Sequence, residues 1–268
     1  MVREHYGGFL VLLTIDIGNT HITLGVWDAG TLIFSARLAS QRERTRDQYA
    51  VELALLLQRS AIAPSALVGT VIGSVVPELT AAIAGAAEIL TAVPALVLAP
   101  GVKTGLSMRV DNPASVGADI VAAAVAAKEQ YPLPCLVADL GTATKLIALD
   151  ATGTLRGVSI APGVGISLAA LSDKASQLPS ISFSGGARVV GTNTLEAMTS
   201  GVVYGTASML DGMTARMEAE LQAPFATLVG TGGLSGGILP HCLRTFVHAP
   251  DLVSDGLRRI YGKTEGRK

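Results

Sequence analysis

The chain has 268 residues, 49% of them hydrophobic, with a formal net charge of −1 and a pI near 6.4. That length suits two lobes, and the apolar content is ample for a core in each. The densest basic patch, Arg42, Arg44 and Arg46, is interrupted by Glu43 and Asp47. A near-neutral chain without a basic stripe excludes DNA and RNA as main partners, because their ligands must neutralise phosphate charge.

From the N-terminus, the apolar run Phe9 to Ile15 ends at Asp16. It falls well short of the roughly 20 residues of a bilayer span. No small-residue cleavage site follows a basic start, as a signal peptide requires. The run therefore predicts a buried β-strand in a soluble, cytoplasmic protein with no membrane partner. It leads into Asp16-Ile17-Gly18-Asn19-Thr20, a strand end with a tight polar turn. Backbone N–H groups in such a turn, with the Asn19 and Thr20 side chains, suit phosphate oxygens. Asp16 suits Mg²⁺, directly or through water. An ordinary hairpin with a capping aspartate has the same pattern. His21 to Val26 predicts a second strand, and Asp28-Ala29-Gly30 a turn into a third at Thr31.

A helix is expected from Asp47, as its cap, through Gln58, with Val51, Leu53, Leu55, Leu56 and Leu57 on its apolar side. Pro113 suits the first turn of a helix continued by Ala122 to Ala127. Asp119 in that segment, taken alone, reads first as a helix-surface aspartate and only second as a catalytic base.

The order then begins again. Leu136 to Thr142 repeats the strand and turn around Asp139, Ala143 to Leu149 the second strand, and Asp150 to Thr154 the turn into a third. The strand-end aspartate precedes the turn aspartate by 12 residues in one copy and 11 in the other. Hairpins then helices, twice over, predict an α/β protein of two duplicated lobes with mixed sheets, 1–114 and 115–268. Ile160 to Gly163 and Gly230 to Gly233 are further glycine turns, open to an adenine or ribose but commoner as plain turns.

Asn193 with Glu196 predicts a capped helix running toward Leu221. Its apolar set (Leu195, Met198, Val202, Val203, Met209, Leu210, Met213) is too broad for one stripe and predicts a dimer face. Cys135 and Cys242 match no metal spacing and read as buried free thiols of a reducing compartment.

Several motifs now stand in order: Asp16 to Thr20, Gly73 to Pro77, Pro100 to Gly105, Asp111 to Pro113, Val116 to Asp119, Asp139 to Thr144, Ile160 to Gly163 and Gly191 to Met198. Together they resemble the type III pantothenate kinases from about residue 12 to 262. The resemblance implies the actin/sugar-kinase fold, two ribonuclease-H-like lobes, and a homodimer with its active site at the interface. It implies ATP, Mg²⁺ and a monovalent cation, K⁺ or NH₄⁺. The reaction implied is γ-phosphate transfer to the primary hydroxyl of pantothenate, the first step toward coenzyme A.

By the same resemblance, Asp16, Gly18, Asn19, Thr20, His21 and Thr23 bind ATP phosphates, with Asp16 also at the Mg²⁺, and Thr142 binds the nucleotide. Asp119 is the general base, and Asp139 holds the monovalent cation. Gly117, Ala118, Asp119, Ile120 and Thr194 meet the pantothenate. Four positions depart from the family pattern: Ile120 for an arginine, Val110 for a tyrosine, Lys145 for a threonine and Val158 for a glycine. The phosphate side matches and the acceptor side has drifted, with Lys145 a candidate substitute for the missing cation. The alternatives are an acceptor-altered kinase, or a non-catalytic nucleotide-binding paralogue with a regulatory or accessory role.

Overall fold

The computed structural model describes residues 11–174, 179 and 188–265. Phe9 and Leu10, at the head of the first expected strand, lie outside the described residues. The chain divides into two compact units that are not consecutive in sequence. One comprises residues up to Gly105, Ala114–Val125 and the stretch from Val253 onward; the other comprises Leu106–Pro113 and Ala126–Leu252.

The first unit holds β1 (Val11–Ile17), β2 (His21–Asp28), β3 (Thr31–Ala39), β4 (Leu67–Ser74) and β5 (Leu96–Val97). Their order is β3-β2-β1-β4-β5. β1, β2 and β3 are antiparallel neighbours, while β4 runs parallel to β1 and β5 parallel to β4. The second unit holds β6 (Cys135–Leu140), β7 (Ala143–Leu149), β8 (Leu155–Pro162), β9 (Thr227–Thr231) and β10 (Val247–His248). Their order, β10-β9-β6-β7-β8, carries the same pattern of directions. The duplication expected from the two Asp-x-Gly strands is thus a duplication of whole mixed sheets.

Central strands are apolar along their length because both faces are covered. Leu13, Ile15 and Ile17 of β1 and the whole of β6 are buried. β3, at an edge, alternates exposed and half-buried residues.

The helices are α1 (Arg46–Arg59), α2 (Pro77–Thr91), α3 (Ala118–Gln130), α4 (Val164–Lys174), α5 (Thr194–Leu221), α6 (Ser235–Ile238) and α7 (Leu252–Glu265). The cap of α1 is Thr45, not Asp47. Thr45 Oγ1 accepts from the Gln48 N–H, and Gln48 Oε1 accepts from the Thr45 N–H at 2.9 Å. This reciprocal pair satisfies two amides at once, whereas Asp47 falls in the first turn and faces the helix dipole. The buried face is Tyr49, Leu53 and Leu57, at helical spacing, while Val51 and Leu55 are exposed.

Pro113 opens only a short 3₁₀ turn, and α3 begins at Ala118. The α5 cap is as expected, with Asn193 Oδ1 accepting from the Glu196 N–H at 2.9 Å. The Glu196 carboxylate reaches back to the N–H and Oγ1 of Thr192. Along α5, Val202, Val203 and Leu210 belong to the second unit's own core, so their apolar character does not mark a partner surface. Leu195 is exposed.

The last helix serves the first sheet. Ser254 Oγ lies 2.7 Å from Thr14 Oγ1 and accepts from Trp27 Nε1 at 2.9 Å, and the Arg258 guanidinium stands over the Trp27 ring. No helix of the described residues is long and apolar enough to cross a membrane.

Candidate active site

Asp16 is the penultimate residue of β1, half-buried, with Thr23 opposite it on β2 and Gly73 on β4. The turn beyond it closes through the Gly18 N–H, which donates to the His21 carbonyl at 2.9 Å. That amide is therefore engaged in the turn itself. Asn19, Thr20 and His21 form the exposed tip, and Thr23 is half-buried behind it. Ser40, which sequence reasoning missed, ties the loop down: its Oγ donates to the Gly18 carbonyl at 2.6 Å and its N–H to the Thr20 carbonyl at 3.0 Å. Nothing in the sequence around Ser40 marks it, since its role follows from where β3 ends.

Asp119 sits in the first turn of α3, and its Oδ1 accepts the Ile120 N–H at 2.8 Å. Gly117 makes this possible. A methyl group there would fall 2.6 Å from Asp119 Oδ1. A methyl on Gly73 would lie 3.7 Å from the Ala118 Cβ. The start of α3 thus rests against the residue paired with Asp16, and one unit brings Asp16, Gly117, Ala118 and Asp119 to the same end of its sheet. Ile120 is only 8% exposed and does not stand at the surface of the chain.

In the second unit Asp139 holds the place that Asp16 holds in the first. It is the penultimate residue of β6, with Lys145 opposite on β7 and Thr231 on β9. Lys145 Nζ lies 2.7 Å from Asp139 Oδ2, with the two side chains 14% and 10% exposed. Thr142 is the exposed tip of the turn, closed by the Gly141 N–H to the Ala143 carbonyl at 3.2 Å.

Both glycine turns left open by the sequence pack under this turn. Gly232 has φ +91°, and a methyl there would fall 2.5 Å from the Leu140 carbonyl carbon and 2.7 Å from Asp139 Oδ1. Gly163 presses on the carbonyls of Gly141 and Thr142, leaving no space for a side chain. Thr194 begins α5 and is exposed.

Elsewhere burial pushes the Cys135 thiol up to about 12, and burial together with the Asp211 charge does the same at Cys242. Neither is poised as a nucleophile. Among the described residues no three His, Cys, Asp or Glu side chains group as a metal centre.

Two mixed-sheet lobes of one topology, each ending its central strand in an aspartate beside a hairpin, define the actin/sugar-kinase class of phosphotransferase folds. The activator of 2-hydroxyisocaproyl-CoA dehydratase from Clostridium difficile, solved with bound ADPNP, has this fold: TM-score 0.57 at 13% identity, over 96% of this chain and 97% of that one. The sequence model described as type III pantothenate kinase matches residues 12–216. The type III pantothenate kinase of Shouchella clausii is 38% identical over 95% of this chain and 100% of its own length. That of Myxococcus xanthus is 39% identical over 94% and 98%. The chain belongs to the type III pantothenate kinase family.

Proposed function

We propose that the chain phosphorylates pantothenate with ATP to give 4′-phosphopantothenate, the entry step of coenzyme A synthesis. The observation that carries this reading is the Asp119 carboxylate, oriented by the Ile120 amide in a space cleared by Gly117, at the same end of the sheet as Asp16. An aspartate so fixed suits a general base for an alcohol. Asp119 takes the proton of the primary hydroxyl as that oxygen bonds to the γ-phosphorus. The bond from phosphorus to the β–γ bridging oxygen breaks, and ADP leaves.

Asp16, with the Asn19, Thr20 and His21 tip and Thr23 behind it, orients the triphosphate, and Thr142 contacts the nucleotide from its own turn. Asp16 would hold Mg²⁺ together with phosphate oxygens and water, and the ion would supply neutralising charge on the phosphates. The absence of a three-residue metal cluster among the described residues is compatible with an ion that takes most of its ligands from phosphate and water. A K⁺ or NH₄⁺ ion at Asp139 fits poorly, because Oδ2 of that carboxylate is already bonded to the Lys145 ammonium, and no step is routed through it.

Thr194 on α5 meets the pantothenate within a homodimer. Exposed Ala197, Gly201, Gly205 and Ser208 recur along α5, and a methyl at either glycine would meet nothing within 4 Å, which leaves room for a second helix. A cytoplasmic location accords with the two free cysteines.

The test is purified protein with ATP, Mg²⁺ and pantothenate, with phosphopantothenate measured by mass. No product beside intact Mg-ATP binding would favour the nucleotide-binding accessory reading that Ile120, Val110, Lys145 and Val158 leave open.

A further inference from the structure

We propose that the Lys145 ammonium is a built-in replacement for a free monovalent cation at Asp139, so that nucleotide binding and turnover need neither K⁺ nor NH₄⁺. The use of the site rests on the kinase reading above, whereas the place of the cation rests on geometry. The duplication supplies an internal control. Asp16 and Asp139 occupy one position in one topology, and the residues opposite them in antiparallel register are Thr23 and Lys145. The first lobe sets a hydroxyl-bearing residue opposite its aspartate. The second sets a cation there.

The Nζ–Oδ2 distance of 2.7 Å is that of a charge-assisted hydrogen bond. Both side chains are about nine-tenths covered, so this is not a solvated surface pair of negligible strength. A buried carboxylate needs a compensating charge nearby. A lysine head group is a compact point charge with up to three N–H donors, chemically a tethered NH₄⁺. Tethering on the neighbouring strand gives it an effective concentration of at least the millimolar order, against which a free ion must compete. The other carboxylate oxygen, Oδ1, lies against Gly232, which leaves little room for a second cation beside the first.

The experiment compares the wild type with Lys145→Thr, which recreates the first lobe's pairing, and Lys145→Ala. Mg-ATP affinity by calorimetry and thermal unfolding are measured in KCl and in choline chloride, both at about 0.1 M so that screening is equal. Wild-type affinity is expected to agree within about 2-fold between the two salts, and its melting temperature to be the same. In choline the variants should bind Mg-ATP roughly 10-fold or more weakly, the scale of one charged hydrogen bond. KCl should restore most of that loss and raise their melting temperature selectively.

A wild type whose affinity or melting temperature rises saturably with K⁺ overturns the proposal, even if both variants fail to fold. So does a folded variant whose loss K⁺ does not repair, since Lys145 then acts otherwise than as a cation for Asp139. If no protein binds ATP in either salt, the kinase reading fails separately. The K⁺-specific melting shift, present in Lys145→Thr and absent in the wild type, then still decides for or against the built-in cation.

Discussion

One methyl group at Gly117 is expected to slow the reaction without loosening the fold. In Gly117→Ala the new carbon would stand 2.6 Å from Asp119 Oδ1. An ordinary contact begins near 3.4 Å, so the oxygen must retreat by about 0.8 Å. The 2.8 Å bond from the Ile120 amide, which aims the carboxylate, cannot survive that shift unchanged. Misplacing a reacting group by about 1 Å costs on the order of 100-fold in rate, so kcat should fall roughly 10- to 100-fold. That corresponds to about 1.4–2.7 kcal/mol of transition-state stabilisation.

Stability should barely change. After Asp119, the side chain nearest the new carbon is Val75, at an ordinary contact distance of 3.5 Å. A glycine replaced without backbone strain even reduces the entropy of the unfolded chain. Steady-state phosphopantothenate formation, Mg-ATP calorimetry and a melting curve separate these effects. Asp119→Asn sets the floor, with a loss of about 10²- to 10⁴-fold. If Gly117→Ala keeps kcat within about 2-fold of wild type at an unchanged melting temperature, orientation of the carboxylate does not limit the reaction and Asp119 loses its role as base.

Further outcomes are expected elsewhere. Asp16→Asn should weaken Mg-ATP binding about 10-fold or more in calorimetry, through loss of one charged interaction. Gly232→Ala combines φ +91° with backbone contacts at 2.5 and 2.6 Å; at about 2–5 kcal/mol for left-handed strain plus overpacking, the melting temperature should drop by roughly 5–15 °C. Ile120→Arg should raise kcat/KM for pantothenate about 10-fold while lowering the melting temperature, because the guanidinium starts from a position only 8% exposed. An unchanged kcat/KM in a folded Ile120→Arg variant removes Ile120 as the mark of a weakened acceptor site. Both thiols titrate near 12 in the fold against 9.0 ordinarily. Neutral thiols are therefore favoured in the folded state, and their contribution to stability is present below pH 9 and lost as pH rises from 9 to 12. At pH 8 alkylation of the native protein should be slow and accelerate on unfolding, as mass spectrometry would record.

The two hairpins were legible because an apolar run, a strand-end aspartate and a glycine turn are all local. The α5 cap was legible for the same reason, Asn193 and Glu196 being one turn apart. At α1 two capping residues compete within two positions, and Gln48 decides for Thr45 by closing a box that Asp47 cannot. Lys145 was visible as a departure, but its pairing with Asp139 was not. A hairpin one residue shorter than the first still brings it directly opposite Asp139, and register of that kind follows from the fold. Gly117 acts by leaving space, a role with no sequence pattern. Least legible was the return of α7 to the first sheet, where Ser254 meets Trp27 and Thr14 across 227 and 240 residues.

That return has a consequence for the nascent chain. β1 and β2 leave the ribosome early, yet the hydroxyl that pairs with Thr14 and with the Trp27 indole belongs to Ser254. Roughly 150 residues of synthesis separate β5 from α7, about 8–30 s at ordinary elongation rates. Through that interval the first sheet lacks its last layer, and the Trp27 indole and the Thr14 hydroxyl have only each other and the Gly25 carbonyl, without the Ser254 hydroxyl. Translation arrested before Leu252 should therefore leave β1 to β5 open to protease, and release of the final helix should close them.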